Sequence, residues 1–569
     1  IIPNNIEITD FAFDNCSSLQ KITVADDNKY YTSVDGILFS KNKETIIRFP
    51  IGRSETEYVI PDSVIEIGDN AFEDCGNLLS ITIPNGVTTL GDHAFSGTSI
   101  SVIDIPASVT SISGAFSYCK KLALFTIPNC IKTLDMYAFS DCSSLTGIII
   151  PDSVTTIKYG AFSGCSSLTE LIIPDSVTTI EDNAFESCSS LTEVSVPDSV
   201  TTMGSCFANC TNLKTVKLPK SIDHISGFAN CENLENVICP ENVKRIGDEA
   251  FKLCKKITKF TIPDSVTEIG GSAFSSSGLT SIVIPDTVTT IGEYAFKDCK
   301  SLESIKLPNQ LHRIEDGIFE YCTALTHITI PNAVTYIGSY AFKNCALTSI
   351  SIPDTVTSID SGAFENCALT SIFIPDTVTS IGSGAFQDCA LLENVKLPNQ
   401  LQEIEYCTFI YCRSLTHITI PNTVRYIGKF AFYGSGLKTI TMPSGISVSY
   451  DALPNDVEII HTTPANSTAQ TAFDNSEVDT LAADSTNAVV LDETSNVSEI
   501  KTQSESIQPE SRYAYFKNLH SNEIYNFYVI KSFSPNDLMS ADNLLYIGQV
   551  ETDENGGLSI LYAPLSDYD

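Results

Sequence analysis

The chain has 569 residues, more than one compact core usually holds, and 43% of them are apolar, so several domains or one long array are expected. A formal net charge of −36 leaves no basic surface to displace counterions from nucleic acid or to settle on anionic membrane, which argues against both as partners. No apolar stretch is long enough to span a bilayer.

The sequence opens with Ile1-Ile2-Pro3-Asn4, already inside a repeat and without an initiator Met, so the true N-terminus and any export signal are expected to precede it. Residues 28–60 break the period that governs the rest. They carry the apolar runs Ile37-Leu38-Phe39 and Ile46-Ile47-Arg48-Phe49 around Lys41-Asn42-Lys43, which predicts a β-hairpin excursion.

The remainder up to about residue 460 is one unit repeated. Residues 151–173, PDSVTTIKYGAFSGCSSLTELII, show it, and the next unit restarts at Pro174. Ala-Phe pairs mark the register at Phe162, Phe185, Phe251, Phe274, Phe296, Phe342, Phe364, Phe386 and Phe432, with repeats of 21 to 23 residues. Leu and Ile at fixed places in such a period are leucine-rich-repeat spacing. Alternation sends Leu171 and Ile173 inward and Ile172 outward; Pro174 ends the strand, because it cannot donate to a ladder. Val177, Ile180, Phe185 and Cys188 complete the inner face, the last two on a short helical or 3-10 turn. The predicted fold is therefore a leucine-rich-repeat solenoid with one parallel strand per coil, whose core exists only through stacking.

These residues resemble the BspA-like leucine-rich-repeat family, whose signature stands here as IPDSVTTIEDNAFESCSSLTEV at residues 173–194. The resemblance covers about residues 1–445. The hairpin residues Tyr30, Tyr31, Ser33, Val34, Asp35, Gly36, Ile37, Leu38 and Phe39 are similar to that family's insert. The resemblance implies cell-surface or secreted microbial proteins that bind host proteins or other cells. It leads us to expect an adhesin-type scaffold acting through the concave strand face, monomeric, with a protein or glycan ligand. The alternatives are an envelope-layer protein without a specific ligand, and the binding part of a larger surface enzyme.

Most of the 19 Cys fall three residues after the repeat Phe, as at Cys142, Cys165 and Cys188. Thr98, Ser277 and Ser435 replace Cys in that column, which suits a buried thiol ladder better than disulfides or zinc. Asp152, Asp175, Asp198, Asp286 and Asp376 follow the repeat Pro. They read as turn chemistry, with a calcium-holding edge as the alternative. No nucleophile, base and orienting acid share a recognisable spacing, so neither catalysis nor a cofactor is expected.

The outward strand positions are mostly Ser and Thr. Against them Lys217, Lys306 and Lys396 recur in VKLP or IKLP, four coils apart, with His327 or His417 one coil on. Ile149, Ile172, Val283 and Phe373 are expected to stand out between them, and exposed apolar groups on a strand face mark binding. These nine residues are the candidate binding site.

After the array, residues 461–510 are rich in Ser, Thr, Asn, Ala, Asp and Glu, a composition that suits an acidic linker. Residues 511–569 regain strand pattern at Ile524–Ile530, 543–550 and 558–562, with Asn555-Gly556-Gly557 as a hairpin turn, which predicts a small all-β module.

Overall fold

The computed structural model describes residues 1–4, 6–8, 12–462, 524–530 and 544–551. It divides into two units, Ile1–Pro464 and Ala465–Asp569.

In the first unit most coils rest on two short parallel strands, and a few carry only the second. In the coil read above these are Glu170–Ile172 and Thr179–Ile180. Each pairs in register with its counterparts in neighbouring coils: Gly147–Ile149 with Glu170–Ile172, and Thr156–Ile157 with Thr179–Ile180. The sequence predicts one strand per coil and misses the second. That strand is only two residues long, and Thr-Thr-Ile after a turn carries no alternation to read.

The third side of the coil was expected to be helical or 3-10, and among the described residues it is neither. Asn183 and Ser187 flank Phe185 with φ of 57° and 59°, in the left-handed region. A right-handed helix cannot run through such residues. Instead the N–H groups of Asn183, Phe185 and Ser187 donate across to the carbonyls of Ser205, Cys206 and Ala208 in the next coil, at 3.0, 2.9 and 2.8 Å. The intervening N–H groups of Glu186 and Cys188 close turns onto Asn183 and Phe185. Where the first-strand ladder is intact, a coil is thus bonded to its neighbour on three sides.

What these ladders enclose is one apolar core running from Ile37 to Ala452. Val177, Ile180, Ala184, Phe185, Cys188 and Leu191 are all fully buried. The repeat Phe rings form an unbroken stack from Phe49 to Phe432; Phe162 and Phe185 have centroids 5.4 Å apart and planes within 4°.

Near the start, Tyr31–Val34, Ile37–Ser40 and Thr45–Arg48 form an antiparallel meander. Its first turn uses Asp35 and Gly36 at φ 50° and 81°, the pair of positive values that an Asp-Gly hairpin turn requires. Thr45–Arg48 then pairs in parallel with Glu66–Ile67, so the excursion feeds directly into the array.

In the second unit Ile524–Ile530 pairs antiparallel with Leu544–Glu551. The acidic segment from residue 463 to 510, the Asn555-Gly556-Gly557 turn and the strand at 558–562 lie outside the described residues. Among the described residues no helix is long and apolar enough to cross a membrane.

Candidate functional site

Where a coil has its first strand, that strand turns its middle residue toward the core and its end residues toward solvent. The third residue of these strands forms an outward column along the stack. Ile149 and Ile172 are neighbours in it, opposite each other across the Gly147–Ile149 and Glu170–Ile172 pair and 81% and 76% exposed. Lys217 lies between Ser195 and Ile238, Lys306 lies beside Val283, and Lys396 lies beside Phe373. The structure therefore places each lysine next to an exposed apolar residue on an adjoining strand. In the Lys396 pair the ammonium sits 4.1 Å from the Phe373 ring centroid. Among the described residues none of the three lysines forms an ion pair within 4.0 Å.

The histidines do not join this column. His417 opens its strand and stands opposite Thr439, two residues from the column that holds Lys396. His327 is exposed in a coil whose residues 327–329 form no ladder. Each ring is within hydrogen-bonding distance of the Thr before it, Thr326 at 2.9 Å and Thr416 at 3.3 Å. Similar spacing along the chain placed Lys and His one coil apart; both face outward, but in separate columns two residues apart along the strand.

Reading the sequence missed Ile238, 56% exposed beside Lys217, although the same alternation in Val237-Ile238-Cys239 points it outward. It also missed two clefts. The strands Glu193–Ser195, Thr215–Lys217 and Asn236–Ile238 form a three-stranded sheet with Lys217 on the central strand. The ladder stops on both sides of it. On one side a cleft of about 600 Å³ is lined by Ile172, Asp175, Ser195, Asp198 and Lys217. On the other a cleft of about 780 Å³ is lined by Ile238, Lys259, Phe260, Pro263 and the carboxylates of Glu235, Glu241 and Asp264. Beside the first, the backbone N–H of Lys220, with the ammonium groups of Lys220 and Lys217, holds Asp198 below the usual carboxylate range.

Three of the Asp residues after the repeat Pro staple coils together. Oδ1 of Asp198, Asp286 and Asp376 accepts the N–H of Lys220, Asn309 and Asn399 at 3.0, 2.8 and 2.8 Å. These bonds reach the next coil rather than closing the turn that holds the Asp, so the role they show is inter-coil stapling and not local turn chemistry. Among the described residues no group of three or more His, Cys, Asp or Glu is placed to hold a metal ion. The cysteines are free thiols, and those of the ladder are spent on the backbone: Cys165 and Cys188 donate to the carbonyls of Phe139 and Phe162 at 3.1 and 3.2 Å. Burial pushes Cys231 and Cys389 up to about 12, so neither is an available nucleophile at neutral pH.

Among solved structures, a leucine-rich repeat protein from Bacteroides ovatus is 26% identical over 76% of this chain and 98% of its own, with a TM-score of 0.49. A leucine rich cell surface protein from Faecalibacterium prausnitzii is 23% identical over 78% and 97%, with a TM-score of 0.28. No curated protein matches the sequence. Six copies of the BspA type leucine rich repeat region match residues 1–58, 52–129, 113–227, 226–347 and 335–459. The chain belongs to the BspA-type leucine-rich-repeat family, a repeat scaffold for protein binding.

Proposed function

We propose that the protein is an adhesin-type scaffold at the cell surface or in secreted form, which binds a protein on host or neighbouring cells through its first-strand face. The observation that carries this reading is the recurrent pairing of an exposed lysine with an exposed apolar side chain: Lys217 with Ile238, Lys306 with Val283 and Lys396 with Phe373. A partner presenting carboxylates beside apolar groups would match each pair, and engagement at several pairs would add through effective concentration.

The test replaces Lys217, Lys306 and Lys396 together by Ser. All three are exposed, so folding should be unchanged by circular dichroism. Binding to immobilised extracellular matrix proteins and to whole cells at low salt should fall at least tenfold. Unaltered binding by the triple variant would remove the lysine column as the contact.

A further inference from the structure

We propose that the cleft between the strand Asn236–Ile238 and residues 259–262 receives an extended polypeptide segment carrying a basic side chain. This deepens the protein-binding reading above and rests on it.

The first argument is main-chain chemistry. Toward its paired neighbour, the Asn236–Ile238 strand uses the N–H of Asn236, which donates to Lys214 O at 3.0 Å, and the C=O of Ile238, which accepts from Leu218 N at 3.0 Å. Alternation turns the N–H and C=O of Val237 the other way, toward the cleft. Among the described residues no backbone hydrogen bond joins Val237 to residues 258–262. A donor and an acceptor are therefore offered in the geometry that an extended chain answers, and backbone polar groups seldom go unanswered.

The second argument is the wall chemistry. The ladder also stops between Ile172 and Ser195, and residues 327–329 and 349–351 form no strand. A broken ladder alone is thus a recurrent feature. Only at this break do the described clefts combine it with an exposed aliphatic side chain, Ile238, and a half-buried aromatic one, Phe260. Phe260 packs on the Phe spine against Phe251 and Phe274, at 5.0 and 5.3 Å, which fixes its ring as a rigid floor. A preorganised apolar floor lowers the entropy cost of binding.

The third argument is charge. The rim carries Glu235, Glu241 and Asp264 against the single cation of Lys259. Three carboxylates around an apolar floor complement a Lys or Arg side chain on the incoming segment. They disfavour an acidic one.

The experiment pans a random linear dodecapeptide library on the full chain, with the Ile238→Lys variant as counter-selector, which removes the apolar side chain and adds a charge that repels a basic segment. Ile238 is an exposed side chain, so the variant retains the fold. Enriched peptides should carry Lys or Arg. They should bind the variant at least tenfold more weakly, and lose at least tenfold when N-methylated at alternate amides. Amide exchange at Val237 should be fast in the free protein and slowed by the peptide. Three results overturn the inference. One is enriched peptides that bind the variant equally well, which leaves the chain a protein binder by another surface. The second is no enrichment at all. The third is concentration-dependent self-association that Ile238→Lys abolishes, which makes a second copy of the chain the occupant. The lysine replacements on whole-protein partners test the parent reading independently of all three.

Discussion

The ring of Tyr340 lies across Gly362, the residue at the same left-handed turn position one coil later. A Cβ added to Gly362 would sit 2.5 Å from both Cδ1 and Cε1 of that ring, and Gly362 itself has φ +62°. The pattern recurs where the ring of Tyr137 covers Gly160, and where that of Tyr411 covers Gly434. Side chains in this turn lean along the stack over the next coil. Glycine at the neighbouring position gives the ring space and takes the positive φ without strain, although Asp141 and Asn344 follow Tyr118 and Tyr321 at equivalent turns.

Gly362→Ala should destabilise the array by roughly 1–3 kcal/mol, from left-handed backbone strain and from displacement of the ring. The strain part belongs to Gly362 alone, whereas the steric part needs Tyr340. In a double-mutant cycle by urea denaturation, Tyr340→Ser should recover part of the loss in the Gly362→Ala background. Strict additivity of the two changes would show that the ring is not the obstacle.

The Phe stack makes a more local prediction. Phe185 is fully buried between Phe162 and Phe207, at 5.4 and 5.3 Å. Phe185→Ala should cost roughly 3–5 kcal/mol. Since coils contact only their neighbours, the damage should stay near the substitution. Hydrogen exchange should rise in coils around residues 162–207 and stay unchanged around 342–432. A uniform loss of protection along the array would contradict nearest-neighbour stacking.

The core of this fold is legible because burial dictates residue type: Phe, Cys, Val and Ile recur wherever the coil turns inward. What escaped the sequence depends on relations between coils. The second strand, as at Thr179–Ile180, is too short to show alternation, and its partners are residues 23 positions away. The candidate site was half legible. Alternation places Lys217, Lys306, Lys396, Ile149, Ile172, Val283 and Phe373 outward. It cannot report which ladders close, and so hides both clefts. His327 and His417 are exposed one coil on from the lysines, as coil count suggested, but two residues along the strand from the lysine column, an offset that coil count does not show.

The lysine pairs differ in one testable respect. Lys396 lies over the Phe373 ring, whereas Lys306 neighbours Val283, which offers no π face. An exposed cation–π contact is worth about 0.5–1 kcal/mol. Lys396→Ser should thus lower stability by about that amount, and Lys306→Ser should be neutral within about 0.5 kcal/mol. Calorimetry of the two single variants decides it, and equal effects would leave the Lys396 contact without energetic weight.

The thiol ladder predicts alkaline sensitivity. Cys231 and Cys389 are raised from 9.0 to about 12, chiefly by burial, which penalises the thiolate. The folded state therefore holds these protons more tightly than the unfolded chain. Below pH 9 both states are protonated and the stabilisation is fully present. Between pH 9 and 12 the unfolded chain sheds protons that the folded one keeps, so stability falls as pH rises. Each such thiol contributes a slope of about 1.4 kcal/mol per pH unit within that window. Urea midpoints should be level from pH 7 to 8.5 and drop steeply by pH 10.5. The Cys231→Ala, Cys389→Ala double variant, although less stable throughout, should show a shallower drop than the parent, because tyrosine and lysine titration is common to both. An identical pH slope in parent and variant would mean that these thiols ionise as readily in the folded protein as in the unfolded chain, and that the column is not desolvated.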